Sequence, residues 1–220
     1  MPFNKMKTHV YIYKQLKKIY IITYLKWVKI PVWFKLKMND VQVGNNLRSN
    51  GVPVIDVWEL GKFSIGDNFI MNNGGRFNVI GRQQRCYFIV YNNAVLKIGN
   101  NVGMSASALI CFKGITIGNN VKIGGNVVIY DTDFHSLDKY QRRSHKEDVL
   151  NTISKEVVIE DDVFIGAHST ILKGVTIGEG SIIGAGSVVT RSIPKNEIWG
   201  GNPAKFIKNT LNEPAIADKN

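Results

Sequence analysis

Cysteines, long apolar runs and acidic residues near the N-terminus are all scarce in this sequence of 220 residues. Its two cysteines, Cys86 and Cys111, are too few and too isolated for a disulfide framework or a cysteine-rich metal site, which favours a reducing compartment. The longest apolar stretch near the start, residues 19–25, is far below the roughly 20 residues that a membrane span needs. Recurring lysines also leave no apolar core for a signal peptide. These absences predict a cytoplasmic protein that does not span a membrane.

Acidic residues are almost missing from the first forty positions, where nine lysines accompany a single acid, Asp40. This segment carries +8 of the net charge of +11, which leaves only +3 for all the other residues. A basic surface confined to one segment argues against a nucleic-acid-binding core, and no recognised nucleic-acid-binding module is present. We therefore predict no nucleic-acid partner.

The pattern of residues 1–40 predicts a basic amphipathic helix that ends before Pro31. Large apolar residues recur there at spacings of three or four: Val10, Tyr13, Leu16, Tyr20, Tyr24 and Trp27. The favoured interpretation is a helix that packs this stripe on the main domain and solvates its lysines. The alternative is peripheral contact of residues 5–37 with an anionic membrane surface, at the inner face of the membrane.

A six-residue repeat organises the rest of the chain. One residue in six is apolar and points the same way in each repeat, at Cys111, Ile117, Ile123 and Ile129 and again at Ile159, Ile165, Ile171, Ile177, Ile183 and Val189. Such a repeat predicts a parallel β-helix, in which each hexad forms one short strand and one turn, and three hexads close a triangular coil. We expect one principal all-β domain over residues 41–195, followed by a C-terminal segment, 196–220, whose last ten residues form a short helix or a frayed tail.

Two interruptions break the repeat. The phase slips by one residue between Ile98 and Cys111, which indicates a bulge or a short loop. Ile129 and Ile159 are thirty positions apart, or five hexads, so some coil register could persist there. Residues 136–154 are strongly polar and show no hexad signal, and we interpret them as a surface loop that leaves the prism just after His135.

The stretch before this loop, residues 127–138, reads VVIYDTDFHSLD. Because side chains alternate along an extended chain, Asp131, Asp133 and His135 are predicted to share one face. Two carboxylates beside an imidazole suit acid–base chemistry, a metal site or a hydrolytic dyad. By contrast, Cys111 is expected to be a buried structural thiol, and His168 to lie on the prism surface.

The sequence resembles the left-handed β-helix acyltransferases of the hexapeptide-repeat superfamily, in particular the bacterial sugar O-acetyltransferases that include galactoside, maltose and polysaccharide-modifying enzymes. The resemblance rests on the two ladders, on DTDFHSLD and on the closing stretch IIGAGSVVTRSIPKNEIWGGNPAKFIK, and it covers about residues 95–208. It implies a homotrimer with active sites between subunits. It also implies direct transfer of acetyl from the cosubstrate acetyl-CoA to a hydroxyl of a sugar or glycan, without an acyl-enzyme.

The same resemblance implies roles for individual residues. His135 would be the general base, and Asp133, or else Asp138, would orient its ring, while Asp131 and Asp138 would contact the acceptor. Backbone amides would stabilise the oxyanion. Two further sets would hold the coenzyme: small residues along a pantetheine groove and lysines at the phosphates, namely Gly166, Ala167, Ala185, Thr190, Lys205 and Lys208.

Three alternatives stay open. The base could serve an N-acetyltransferase acting on an amino sugar, or the β-helix could be a non-catalytic structural protein. Trimeric zinc carbonic anhydrases share the scaffold but need three histidine ligands. Of the four histidines here, His9 and His145 stand in unsuitable contexts, so we expect no metal.

Overall fold

The computed structural model describes residues 7–78, 80–81 and 83–210, and the predicted tail at 211–220 lies outside them. Its helices are α1 (Thr8–Met38), α2 (Gly74–Phe77) and α3 (His145–Asn151), with a 3-10 turn at Gln141–Arg143. Its strands, numbered along the chain, form three sheets. Sheet A contains β1 (Gln42–Val43), β4 (Lys62–Ile65), β7 (Val95–Ile98), β10 (Gly114–Ile117), β13 (Val157–Ile159) and β16 (Thr176–Ile177).

The other two sheets complete a triangular prism. Sheet B contains β2 (Arg48–Asn50), β5 (Ile70–Asn72), β8 (Gly103–Ser105), β11 (Lys122–Ile123), β14 (Phe164–Ile165), β17 (Ile182–Ile183), β19 (Glu197–Gly200) and β20 (Lys205–Asn209). Sheet C contains β3 (Val54–Val57), β6 (Tyr87–Val90), β9 (Ala108–Cys111), β12 (Val128–Tyr130), β15 (Thr170–Ile171) and β18 (Val188–Val189). Strands β1 to β18 visit A, B and C in turn, so three strands make one coil. The predicted parallel β-helix is confirmed.

The inward residues of each sheet stack in register from coil to coil. Ile117 pairs with Ile159 in sheet A, Ile123 with Ile165 in sheet B, and Ile129 with Ile171 in sheet C; these side chains are buried. Each strand from β10 to β18 thus adds at least one buried aliphatic side chain to a continuous core, which is the physical reason for the six-residue period.

Cys111 breaks the predicted ladder. Leu109, not Cys111, pairs with Ile129, because the chain between these two strands is two residues longer than three hexads. Cys111 instead pairs with Val90 at the end of β9 and is fully buried there. The expectation of a buried structural thiol is confirmed, although its place in the ladder was wrong.

Asparagines line the turns between sheets A and B. Asn46, Asn68, Asn101 and Asn120 all adopt positive φ near 60°, a conformation that asparagine tolerates better than most residues. Their side-chain amides form a ladder, with Asn68 donating to Asn101 at 2.9 Å and Asn101 to Asn120 at 3.0 Å. The turn residues of the repeat therefore satisfy one another's hydrogen bonds along the prism.

Helix α1 continues through Pro31 to Met38, so the prediction that Pro31 ends it was wrong. Proline removes one N–H bond to the carbonyl four residues earlier, at Trp27, which is exposed and can be hydrated. The helix buries Val28, Val32 and Leu36 against the first coil, whereas most of the predicted packing stripe is exposed. The packing interpretation thus holds for the C-terminal half of the helix. No described helix is apolar over enough residues to cross a membrane.

Candidate active site

The candidate site lies on an excursion at the corner between sheets C and A. Strand β12 ends at Tyr130 and the next strand, β13, begins at Val157 in the neighbouring sheet, so the intervening residues contribute no coil. The idea that coil register persists under the excursion was therefore wrong. An antiparallel bridge between Thr132 and Ser154 closes the base of the excursion, and Lys155 donates its N–H to the carbonyl of Asp131 at 2.8 Å.

His135 lies near the start of this excursion and pairs with Asp148 on α3. The His135 Nδ1 atom lies 2.7 Å from Asp148 Oδ2, and the backbone N–H of Ser136 donates to Asp148 Oδ1 at 2.6 Å. The Asp148 side chain is 12% exposed, whereas the imidazole is 69% exposed. The hydrogen bond from His135, followed by that from Ser136, lowers the pKa of Asp148 below its ordinary value. An ionised carboxylate at this atom favours the tautomer with its proton on Nδ1, which leaves Nε2 as a base open to solvent.

Asp133 does not orient the histidine, so that expectation was wrong. Its Oδ1 atom accepts a hydrogen bond from Lys173 Nζ at 2.6 Å, and its Oδ2 atom is buried without a hydrogen-bond partner among the described residues. The predicted alternation fails because Phe134 adopts φ of 63° and turns the chain out of the extended conformation. Asp133 therefore faces the next coil, while His135 faces α3.

Asp131 is structural, which overturns the expectation that it contacts the acceptor. Its carboxylate is fully buried and accepts the backbone N–H groups of Phe112, Lys113 and Gly114, each at 2.7 Å. Burial raises the pKa of Asp131, and these three N–H donors oppose the rise. Asp131 thus holds the loop that follows β9.

Asp138 does not contact His135 either. Its Oδ1 atom accepts the backbone N–H groups of Tyr140 at 2.6 Å and Gln141 at 3.3 Å, just before and at the start of the 3-10 turn. The side chain is exposed, so contact with an acceptor stays a prediction.

The residues expected to hold the coenzyme lie in three places. Gly166, Ala167 and Ala185 lie at the corner between sheets B and C, where the backbones of neighbouring coils approach closely. Thr190 is exposed just after β18, at the corner between sheets C and A that also carries the His135 excursion. Lys205 and Lys208 are exposed on β20, at the far end of sheet B. Within one chain, these residues do not form a single pocket.

Comparison with known proteins supplies the family. A family model described as "Bacterial transferase hexapeptide (six repeats)" matches residues 156–191, and one described as "Hexapeptide repeat of succinyl-transferase" matches residues 95–131. WbbJ of Escherichia coli (strain K12), named for O-acetyl transfer in lipopolysaccharide biosynthesis, is 30% identical over 162 residues, covering 72% of this chain and 78% of WbbJ. The chain belongs to the hexapeptide-repeat acyltransferase family.

Two other relatives show how far the likeness extends. A Schizosaccharomyces pombe protein named as an acetyltransferase is 50% identical over 99 residues, but this chain spans only 45% of its length, and the match covers 45% of this chain. A solved structure of galactoside acetyltransferase in complex with coenzyme A shares the fold, with a TM-score of 0.56 and 23% identity over 96% of this chain and 86% of that chain. Family membership confirms the predicted left-handed parallel β-helix and the predicted acyltransferase class.

In this hexapeptide-repeat acyltransferase, Asp148 is the partner of His135 that was not predicted from the sequence. The pattern Ser144-His145-Lys146-Glu147 is a helix-start signal, and it would have placed Asp148 in the first turn of a short helix. Among residues 7–78, 80–81 and 83–210, no group of three His, Cys, Asp or Glu side chains could hold a metal ion. His135, with Asp148 at its Nδ1 atom, has the geometry of an imidazole held for proton transfer.

Proposed function

We propose that this chain transfers the acetyl group of acetyl-CoA to a hydroxyl of a sugar or glycan precursor. The observation that carries the proposal is the hydrogen bond between His135 and Asp148, with Nε2 of the same ring exposed. An alcohol is a weak nucleophile, so a neutral imidazole that removes its proton during attack is the catalytic group that the reaction needs.

The transfer proceeds in two proton movements. His135 Nε2 takes the proton of the acceptor hydroxyl as its oxygen bonds to the thioester carbonyl carbon, and Asp148 stabilises the imidazolium that forms. The tetrahedral intermediate then expels the coenzyme thiolate, which receives the same proton from Nε2. Backbone N–H groups of the tight turns stabilise the oxyanion.

A covalent acyl-cysteine is disfavoured by the state of both thiols. Cys86 and Cys111 are fully buried, and burial raises the pKa of Cys86 to about 11 and that of Cys111 still further. A buried protonated thiol is a poor nucleophile, since the thiolate is the reactive form. Direct transfer from the coenzyme to the acceptor follows.

Asp133 is the proposed acceptor contact, because its side chain is 20% exposed whereas Asp131 is fully buried. Its Oδ2 atom is buried, and its Oδ1 atom accepts from Lys173 Nζ at 2.6 Å. A carboxylate oxygen can accept more than one hydrogen bond, so an acceptor hydroxyl could donate to Oδ1. We therefore transfer the role expected of Asp131 to Asp133.

The active site is completed by a second copy of the chain in a homotrimer. His135 and Thr190 lie at one edge of sheet C, whereas Gly166, Ala167 and Ala185 lie at the opposite edge of that sheet. Coenzyme lying along the small-residue corner of one subunit would meet His135 of its neighbour, with Lys205 and Lys208 at its phosphates. The galactoside acetyltransferase structure holds coenzyme A on the same fold.

The test is coenzyme A release from acetyl-CoA across sugars, sugar nucleotides and amino sugars, with wild type and His135→Ala. We expect one class of hydroxyl acceptor to turn over, and His135→Ala to lower kcat by roughly 10² to 10⁴. Acetyl-CoA should still raise the melting temperature of His135→Ala, because the coenzyme site is intact. Wild-type turnover by this variant would refute the mechanism. Absence of any thermal shift in wild type would favour a structural β-helix, and exclusive turnover of amino sugars would favour N-acetyl transfer.

A further inference from the structure

Helix α1 carries an apolar surface that the chain itself does not cover. The helix buries Val28, Val32 and Leu36, and at 100° per residue the opposite face carries a second row of large apolar residues. We name this row the outer stripe: Ile12, Leu16, Ile19, Trp27, Ile30 and Phe34. Each of its side chains is between 52% and 68% exposed.

The outer stripe extends over a long distance and is interrupted once, at Thr23. From Ile12 to Phe34 the helix rises about 33 Å, at roughly 1.5 Å per residue. Single apolar residues on a surface are ordinary, but an aligned row of this length marks an interaction surface. The row also differs from the stripe predicted from sequence, of which only Leu16 and Trp27 belong to it.

The charge of α1 indicates the kind of partner. The helix contains seven lysines and no acidic residue. Lys26 and Lys37 are exposed beside the outer stripe, whereas the other five lysines of the helix lie nearer to its buried face. An apolar row containing tryptophan and flanked by lysines matches the interface of a bilayer, where rings lie at the headgroups and ammonium groups meet lipid phosphates.

A separate cavity lies on the other side of the helix, where α1 faces the prism. It has a volume of about 670 Å³, lies between α1 and the first coil, and has an apolar wall that includes Leu25, Trp33 and Leu36. Lys29, Lys37 and Arg48 also line it. The same end of the molecule therefore presents apolar and cationic groups together.

We propose that the outer stripe of α1 docks in the interface of an anionic bilayer, with the helix parallel to the membrane plane. A second copy of α1 is a poor occupant, since seven lysines without an acid on each helix would repel one another. Anionic lipid offers the charge opposite to that of Lys26 and Lys37, which lie beside the outer stripe.

The test is flotation of the full chain with lipid vesicles, either pure phosphatidylcholine or with about one third phosphatidylglycerol. Wild type should float with the anionic vesicles and stay in solution with the neutral ones. Leu16→Glu should lower the fraction bound about tenfold or more, because it removes a buried apolar group from the interface. Leu60→Glu is the matched control, since Leu60 and Leu16 are equally exposed at 61%, and it should bind as wild type does.

A second pair of variants separates charge from hydrophobic contact. Lys26→Gln should weaken binding about fivefold, and Lys97→Gln, an exposed lysine on the prism, should not. Light scattering of each variant measures the mass of the assembly. The proposal is overturned if wild type ignores anionic vesicles, or if it binds neutral ones equally well. A change of assembly mass in Leu16→Glu would also overturn it, because the outer stripe would then contact a second copy.

Discussion

Replacing Asp148 with asparagine should remove most of the activity while leaving the size of the side chain unchanged. In the native site, Oδ1 of Asp148 accepts from Ser136 N–H and Oδ2 from His135 Nδ1. In Asp148→Asn, the amide oxygen must keep accepting the Ser136 N–H. This donor is buried and has no other hydrogen-bond acceptor within the excursion. The amide nitrogen then faces His135 Nδ1.

An amide nitrogen at this place reverses the tautomer. Since it can only donate, Nδ1 must become the acceptor and the ring proton moves to Nε2. A protonated Nε2 cannot take the proton of the sugar hydroxyl that receives the acetyl group. The general base is therefore lost in almost every molecule. The expected loss in kcat is roughly 10² to 10⁴, which is the usual contribution of a general base.

The assay is steady-state coenzyme A release by the full-length protein at saturating acetyl-CoA. Glu147→Gln is the matched control, because it removes one negative charge from the adjacent position of α3 without contacting His135. It should keep kcat within about threefold of wild type, as the change of a surface charge does. Activity of Asp148→Asn within tenfold of wild type would refute the argument, and so would an equal loss in Glu147→Gln.

Three further predictions concern stability. Gly166→Ala should lower the free energy of unfolding by about 1–3 kcal/mol, because the new Cβ would lie 2.5 Å from the backbone N of Ala185. Gly184→Ala is the control, since its Cβ would have no atom nearer than 3.5 Å, and its stability should be close to that of wild type. Urea unfolding measures both variants. Ile171→Ala in the fully buried ladder of sheet C should cost about 2–5 kcal/mol in the same measurement. The pKa of Asp148 is lowered in the folded chain, so its ionised form stabilises the fold above the ordinary carboxyl value near 4. Asp148→Asn should therefore be less stable than wild type at neutral pH in the same measurement, and this difference should shrink as the pH falls below about 4.

The prism could be predicted from spacing because every hexad meets the same local requirement. Each places one aliphatic residue inside and one turn-former at a corner, so the pattern survives without knowledge of distant contacts. The position of Cys111 could not be predicted this way, since counting residues does not show where a longer turn absorbs the excess. The end of α1 was wrongly predicted at Pro31 for a similar reason, because distant contacts decide it. The cost of one lost hydrogen bond was outweighed by packing of Val32 and Leu36 beyond it.

The candidate site was predictable only in part. His135 stands out because it follows the last regular strand before a break in the repeat. Its partner Asp148 is thirteen residues away and reaches it only because the excursion folds back as α3. The neighbouring carboxylates were misassigned because alternation was assumed to continue past Tyr130, where the strand has already ended. Local periodicity therefore predicts the scaffold, and long-range contacts decide which acid serves the base.

The two ends of the prism determine whether copies of the protein can stack end to end. A repeating coil has no intrinsic last member, and its terminal strands offer the same edge that joins one coil to the next. At one end α1 packs on the first coil, with Asn39 accepting the N–H of Val57. At the other, β20 pairs antiparallel with β19 and reverses the strand direction, so another parallel coil cannot follow it on sheet B. Both contacts oppose end-to-end stacking of prisms into a filament.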